Sequence, residues 1–126
     1  NKVGNHTYAH QKGWGMSLER YIEDVDFAND LIHSELFRPP YARITPAQAR
    51  ALSQRYKLVM WDVLSRDYSR SLLPRKCLKN VTKHLEPGAI VVFHDSEKSF
   101  RNMRYALPRT LDKIRKLGLK CKTIEL

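Results

Sequence analysis

The stretch Ala89-Ile90-Val91-Val92-Phe93-His94-Asp95 decides the fold. A continuous apolar run of this kind is expected of a parallel strand covered on both faces. Two ionisable residues follow it directly. Just upstream, Glu86-Pro87-Gly88 ends a helix that Pro74 opens, with Cys77, Leu78, Val81 and Leu85 turned inward. Before that, Lys57 to Val63 reads as a mostly apolar strand. Thr45-Pro46-Ala47-Gln48 is a strong helix start, with Thr as N-cap, Pro at the first helical position and Gln completing a capping box. That helix is expected to run to about Arg55. Leu36-Phe37 is a short extended piece stopped by Pro39-Pro40, because a residue before proline is pushed out of the α region. Leu18, Tyr21, Ile22, Val25, Ala28 and Ile32 recur at helical spacing and predict a helix over 17–34. The chain opens in what reads as a strand ending at Val3. Downstream, a last helix ends at Gly118, with Pro108 marking its start or a kink, and 119–126 alternates as a closing strand.

Strand-helix alternation implies a parallel α/β sheet or barrel. The positions of the polar clusters matter more. His6/His10, Arg38, Asp62/Asp67 and His94/Asp95 each fall just after an expected strand. In (β/α) barrels the C-terminal strand ends share one face, where active sites are built.

At 126 residues the chain holds one compact domain with a real core, and 42% hydrophobic with 29% charged residues is ordinary globular composition. No apolar run approaches the ~18 residues of a membrane span. The first residue is Asn1, so the chain is expected to be the C-terminal portion of a longer protein, and a missing leader carries no information about compartment. Net charge is +10 and uneven: residues 1–63 hold 8 Lys/Arg against 7 Asp/Glu, and 64–126 hold 15 against 6. A basic half can mark a nucleic-acid, membrane-surface or polyanion partner. It can equally be a solvated helix face, with Arg104, Arg109, Lys113, Arg115 and Lys116 opposite Leu107, Leu111, Ile114 and Leu117. Cys77 and Cys121 are 44 apart without a CxxC, which excludes a zinc knuckle or thioredoxin-type site and leaves two buried free thiols as the expectation.

The clusters can supply hydrolytic chemistry. His6 and His10, four apart, can close on one Zn²⁺ through neutral imidazoles, although histidine pairs also occur as surface or core residues. A third ligand, normally a carboxylate, would complete the site, and a metal-bound water is the nucleophile of metal-assisted hydrolysis. His94 is either a core histidine bonded to backbone or a general acid that protonates a leaving amine. A carboxylate nearby favours the charged ring, and Asp67 is the candidate. Arg38, on a backbone stiffened by two prolines, is either a surface ion-pair partner or a bidentate grip on a carboxylate. The Tyr41 N–H beyond the prolines could donate to a developing oxyanion. Trp61 and Tyr68 are core or rim residues, or aromatic platforms for a sugar.

Taken together these residues resemble the polysaccharide deacetylases, the carbohydrate esterases with the NodB homology domain. His6-Thr7-Tyr8-Ala9-His10 resembles that family's H-[ST]-x-x-[HD] metal motif, and Arg38-Pro39-Pro40-Tyr41 its R-x-P-[YF] motif. Leu64-Ser65-Arg66-Asp67-Tyr68 resembles D-x-x-D-W, and Val92-Phe93-His94 resembles L-x-H. The motifs depart from the family pattern at Leu64, Tyr68 and Val92, which bears on the lining of the acetyl pocket. The resemblance implies a deformed seven-stranded (β/α) barrel, here incomplete for want of its first strands, with 1–126 as the C-terminal portion of one deacetylase domain. It implies a metal-dependent hydrolase of non-peptide carbon–nitrogen bonds that removes N-acetyl or O-acetyl groups from a polysaccharide such as chitin, peptidoglycan or xylan. His6 and His10 would bind Zn²⁺ or a similar ion, and His94 would be the acid, tuned by Asp67. Arg38 would orient the base, Tyr41 would serve the oxyanion, and Trp61 and Tyr68 would line the substrate site. The family's T-F-D-D-G-x-P motif, source of the base and the third ligand, has no match here, so these residues alone are expected to be inactive. A cell-envelope or extracellular setting would suit such an enzyme. The alternatives are a glycan- or polyanion-binding module on the same fold, and a nucleic-acid binder, which rests on charge alone and is not expected.

Overall fold

Helix caps set the first element. Ser17 takes the extended backbone of an N-cap and its Oγ accepts the Arg20 N–H at 3.3 Å, so the apolar periodicity that follows winds into α1, Leu18–Ile32. A computed structural model describes residues 1–125 and divides the chain into two units, Asn1–Met60 with the residues from Thr123, and Trp61–Lys122.

In the first unit, α1 buries Tyr21, Val25 and Ala28, while Leu18, expected inward, is exposed. Strand β1, Leu36–Phe37, follows, then a turn over Pro40–Ala42 that does not keep helical angles, α2 over Pro46–Ser53 and β2 over Lys57–Leu58. β1 and β2 pair in parallel, with Leu36 opposite Lys57 and Phe37 opposite Leu58. The strand expected to end at Val3 is one parallel bridge between Asn5 and Phe37, held by Asn5 N–H to Leu36 O at 2.7 Å and Arg38 N–H to Asn5 O at 2.9 Å. The core is Tyr21, Val25, Phe37, Leu52 and Tyr56, with Phe37 between the two tyrosine rings at centroid distances of 6.4 and 5.9 Å.

The capping box of α2 is present in full. Thr45 Oγ1 accepts the Gln48 N–H at 3.2 Å, and Gln48 Oε1 accepts the Thr45 N–H at 2.9 Å. Gln48 is also buried and donates its Nε2 to Gly13 O at 2.9 Å and Met16 O at 3.3 Å, so one amide caps a helix and fastens the loop before α1. Gly13 is required there. A Cβ would lie 2.2 Å from Gln48 Oε1 and 2.9 Å from the Arg43 carbonyl.

In the second unit, β3, Val63–Leu64, pairs in parallel with β4, Val91–Val92, with Val63 opposite Val91 and Leu64 opposite Val92. The single strand expected over 57–63 is therefore two, β2 and β3, with different partners. The intervening Val59 and Met60 carbonyls are taken by the Arg38 side chain at 3.0 and 3.1 Å. α3 spans Pro74–Thr82, with Cys77 and Val81 buried, and α4 spans Glu97–Lys116 with Ser96 as its N-cap; the two helices pack together. Three sequence expectations are corrected here, and Pro108 proves not to be the helix start. Val91, Val92 and Phe93 are half-buried rather than covered on both faces, because β4 has one strand neighbour among the described residues. The buried stripe of α4 is Ser99, Asn102, Ala106 and Thr110, while Leu111 and Leu117 are exposed. The helix runs through Pro108, which has no N–H to offer the Arg104 carbonyl; the next carbonyl, Tyr105 O, accepts Arg109 Nη1 at 2.9 Å. After Gly118, in the left-handed region at φ 71°, residues 119–125 form no strand, and position 126 lies outside the described residues.

Cys77 is fully buried and Cys121 is exposed, which corrects the expectation of two buried thiols. Burial, helped by the charge of Asp67 and opposed by a hydrogen bond from Ser65, pushes the Cys77 thiol up from 9.0 to about 11. Its contribution to stability is fully present below pH 9.0 and is lost as pH rises through about 11, where the folded state also ionises. The Cys77→Ala variant should show a shallower alkaline decline when denaturant midpoints are followed from pH 8 to 11, the remainder coming from Tyr21 and Tyr56, whose phenols burial also pushes up. Gly13→Ala should lower the unfolding free energy by about 1–3 kcal/mol, because Gln48 must abandon its cap or the Arg43 backbone must move; urea melts of the two proteins measure it.

Candidate functional site

His6 follows the Asn5 bridge, and its Nδ1 lies 2.6 Å from the Arg38 carbonyl oxygen. A carbonyl only accepts, so this nitrogen carries a proton, and Nε2 is the ring nitrogen a metal would use. The His10 ring sits edge-on to His6 at a centroid distance of 4.9 Å, and the Tyr41 ring sits 4.9 Å from His10. The sequence motif thus closes into one cluster of three rings.

The loop is shaped by residues that motif reading missed. Thr7 and His10 take left-handed backbone angles, φ 61° and 54°, which non-glycine residues hold only under constraint. Buried Asn5 accepts the Thr7 N–H at 3.0 Å through Oδ1 and donates Nδ2 to Val25 O at 2.8 Å. Thr7 Oγ1 accepts the Gln11 N–H at 2.9 Å. Asp24, on α1, accepts the N–H groups of Tyr8 and Ala9 at 3.1 and 3.2 Å through one carboxylate oxygen. The only sequence signal for Asp24 was its polar place beside the buried Val25.

Arg38 is neither a surface ion pair nor, among the described residues, bonded to a carboxylate. Its Nε donates to Val59 O at 3.0 Å and its Nη2 to Met60 O at 3.1 Å, and burial pushes its pKa down. Tyr41 and Ala42 both adopt φ 57°, directly after the buried Pro39 and Pro40. The Tyr41 side chain is largely exposed.

In the second unit, Asp67 is completely buried and meets His94 twice. Its Oδ1 lies 2.6 Å from His94 Nδ1, and its Oδ2 accepts the His94 backbone N–H at 2.7 Å. The His94 ring remains 39% exposed, which distinguishes it from a core histidine satisfied by backbone. With Nδ1 committed to the carboxylate, Nε2 is left for proton transfer. The Tyr68 ring packs edge-on against His94 at 5.2 Å, and Trp61 is half-buried in the turn before β3. Buried Asn102 on α4, also missed, donates Nδ2 to Asp67 O and Ser69 O, both at 3.0 Å, and so clamps the loop that carries the carboxylate. Asp62 is structural: its Oδ2 accepts the Ile90 N–H at 2.8 Å.

His6 and His10 supply the donor type that zinc prefers, and the Nδ1 bond of His6 orients its ring as metal-bound imidazoles require. They are a partial set. Among the described residues no three His, Cys, Asp or Glu side chains group closely enough to hold an ion.

No family model and no curated protein matches this chain in sequence. Solved structures do. A family 4 carbohydrate esterase from Streptomyces lividans superposes with a TM-score of 0.83 at 21% identity, over 98% of this chain and 66% of that one. The peptidoglycan N-acetylglucosamine deacetylase Bc1960 gives 0.90 at 20% identity, over 98% and 61%. BA3943 of Bacillus anthracis, described as a CE4 family pseudoenzyme, gives 0.80 at 26% identity, over 94% and 43%. The chain has the fold of the family 4 polysaccharide deacetylases. It spans between 43% and 66% of the length of these structures, and the family 4 fold is home to active and inactive members alike. No described helix is long and apolar enough to cross a membrane.

Asp24→Ala should leave the Tyr8 and Ala9 amides without their carboxylate acceptor. Exchange of the Ala9 amide with D₂O, followed by NMR, should quicken by roughly tenfold, the equivalent of one lost charge-assisted hydrogen bond, and that of Tyr8 by less, because its N–H also donates to the Asp24 backbone carbonyl at 3.3 Å. Amides in the middle of α1 should keep their rates.

Proposed function

We propose that this chain carries part of the active site of a metal-dependent polysaccharide deacetylase, which removes N-acetyl or O-acetyl groups by hydrolysis. The observation that carries the reading is the two-point bond between buried Asp67 and half-exposed His94, which orients one ring nitrogen for acid catalysis. His94 is assigned as the general acid that protonates the leaving amine or alcohol, with Asp67 fixing its tautomer. His6 and His10 are assigned as ligands of a divalent ion, in first place Zn²⁺, which when bound supplies an activated water. Arg38, anchored through Nε and Nη2, is assigned to orient the catalytic base, and the Tyr41 N–H to the developing oxyanion. Trp61 and Tyr68 are assigned to the substrate rim. No carboxylate of this chain matches the motif that the base and the third ligand require, so the proposal places both on residues beyond those assigned here. The similar structures whose names include a peptidoglycan deacetylase and a xylanase-linked domain support an acetylated glycan as substrate.

A second reading, a glycan-binding module without chemistry, is favoured by the absence of a three-ligand cluster among the described residues and by the likeness to a pseudoenzyme. Two measurements on the protein in which this chain naturally occurs separate them. The deacetylase should bind one equivalent of Zn²⁺, lose it on His10→Ala, and lose roughly 10²–10⁴ of its acetate release from acetylated chitooligosaccharide, peptidoglycan or xylan on His94→Ala. Zinc-independent glycan binding with no acetate release would establish the module instead.

A further inference from the structure

We propose that a cleft on the outer side of α4 is a binding site for an acidic polysaccharide, a glycan that carries a carboxylate or phosphate on its repeating unit. The cleft, of about 460 Å³, lies within the second unit and is lined by Pro74, Phe100, Arg101, Arg104, Tyr105 and Arg109. Its composition is unlike that of a generic charged helix face. Among the described residues no carboxylate pairs with any of the three arginines, whereas Arg115 on the same helix is matched with Asp112 at 3.6 Å. Two of the guanidinium groups lie over aromatic rings, Arg104 over Phe100 at 5.4 Å and Arg109 over Tyr105 at 3.9 Å. Stacking of this kind holds a cation in place and keeps its edge donors available for an anion. Arg109 spends one donor on Tyr105 O, which anchors it further.

The charge of the whole unit points the same way. Trp61–Lys122 holds 15 Lys/Arg against 6 Asp/Glu, while the remainder of the chain holds 8 against 7. Nine of the ten net positive charges therefore belong to the unit that holds this cleft. From Arg101 to Arg109 the helix rises about 12 Å, long enough to meet successive charges on one polymer. A nucleic acid suits the cleft less well, because base stacking needs open ring faces and each ring here already carries an arginine. The choice of a glycan over other polyanions rests on the deacetylase reading. The site itself involves none of His6, His10, Asp67 or His94.

The test is equilibrium binding by the metal-free chain, so acetyl release does not enter it. The probes are polygalacturonate for a carboxylate-bearing glycan, phosphorylated dextran for a phosphate-bearing one, neutral chitooligosaccharide, and a single-stranded oligonucleotide of equal charge. At least one acidic polymer should bind, its identity naming the charged group, and any binding of chitooligosaccharide should be unchanged by Arg101→Glu with Arg104→Glu. Arg101→Glu with Arg104→Glu should weaken binding by about tenfold or more, while Lys113→Glu with Lys116→Glu, the same charge change on the same helix, should cost less than about twofold. Thermal melts check both proteins, and Arg101→Gln with Arg104→Gln replaces the reversal if it unfolds. Equal losses in the two pairs would reduce the cleft to a diffuse field. No loss on changing Arg101 and Arg104, or tighter binding of the oligonucleotide than of either acidic polymer, would also overturn the proposal.

Discussion

The Asp67 carboxylate accepts from both the backbone and the ring of His94, and the local structure of the Trp61–Lys122 unit is arranged so that it can. A fully buried carboxylate is costly unless each oxygen is satisfied, and here each has a short partner. Satisfying them requires the segment after β3 to lie beside the segment after β4. The parallel register of those strands provides this, with Leu64 opposite Val92 and the two ionisable residues just beyond. Ser65 Oγ and Asn102 Nδ2 then hold the Asp67 loop from either side. The same groups that make the buried charge tolerable give His94 one defined tautomer, so the stability argument and the chemical argument coincide at this pair.

The Asn1–Met60 unit solves an equivalent problem with backbone. The Arg38 peptide donates its N–H to Asn5 and offers its carbonyl to His6, while the side chain of the same residue reaches the Val59 and Met60 carbonyls. One arginine therefore ties three segments. Its guanidinium is held by neutral oxygens, which restrict its motion without cancelling its charge, and it stays positive at any working pH.

The candidate site residues were legible in the sequence because their spacing is short and their chemistry is rare. Two imidazoles four apart, an arginine before two prolines, and a histidine after an apolar run are all visible without coordinates. Thr45, Pro46 and Gln48 were legible for a different reason, since a helix start is decided by neighbours in sequence. What escaped was set by distant partners. Asp24 and Asn102 reach loops 15 and 35 residues away. Pattern alone treats Asp24 as solvated surface and Asn102 as part of a charged helix. The single strand expected over 57–63 failed likewise, because nothing local reveals that Arg38 occupies the carbonyls in its middle. The inward face of α4 was misjudged for leucines, because its buried residues are the small and polar Ser99, Asn102, Ala106 and Thr110.

Tyr41 and Ala42, left-handed in succession, have a further meaning. For side chains with a Cβ this conformation costs on the order of 1–2 kcal/mol each. The preceding prolines, buried and fixed in φ, leave the turn few softer shapes to relax into. In the proposed oxyanion role of Tyr41, such a turn would hold its shape before a ligand arrives, and the ligand would not spend affinity on ordering it. Rigidity of this kind trades folding stability for readiness.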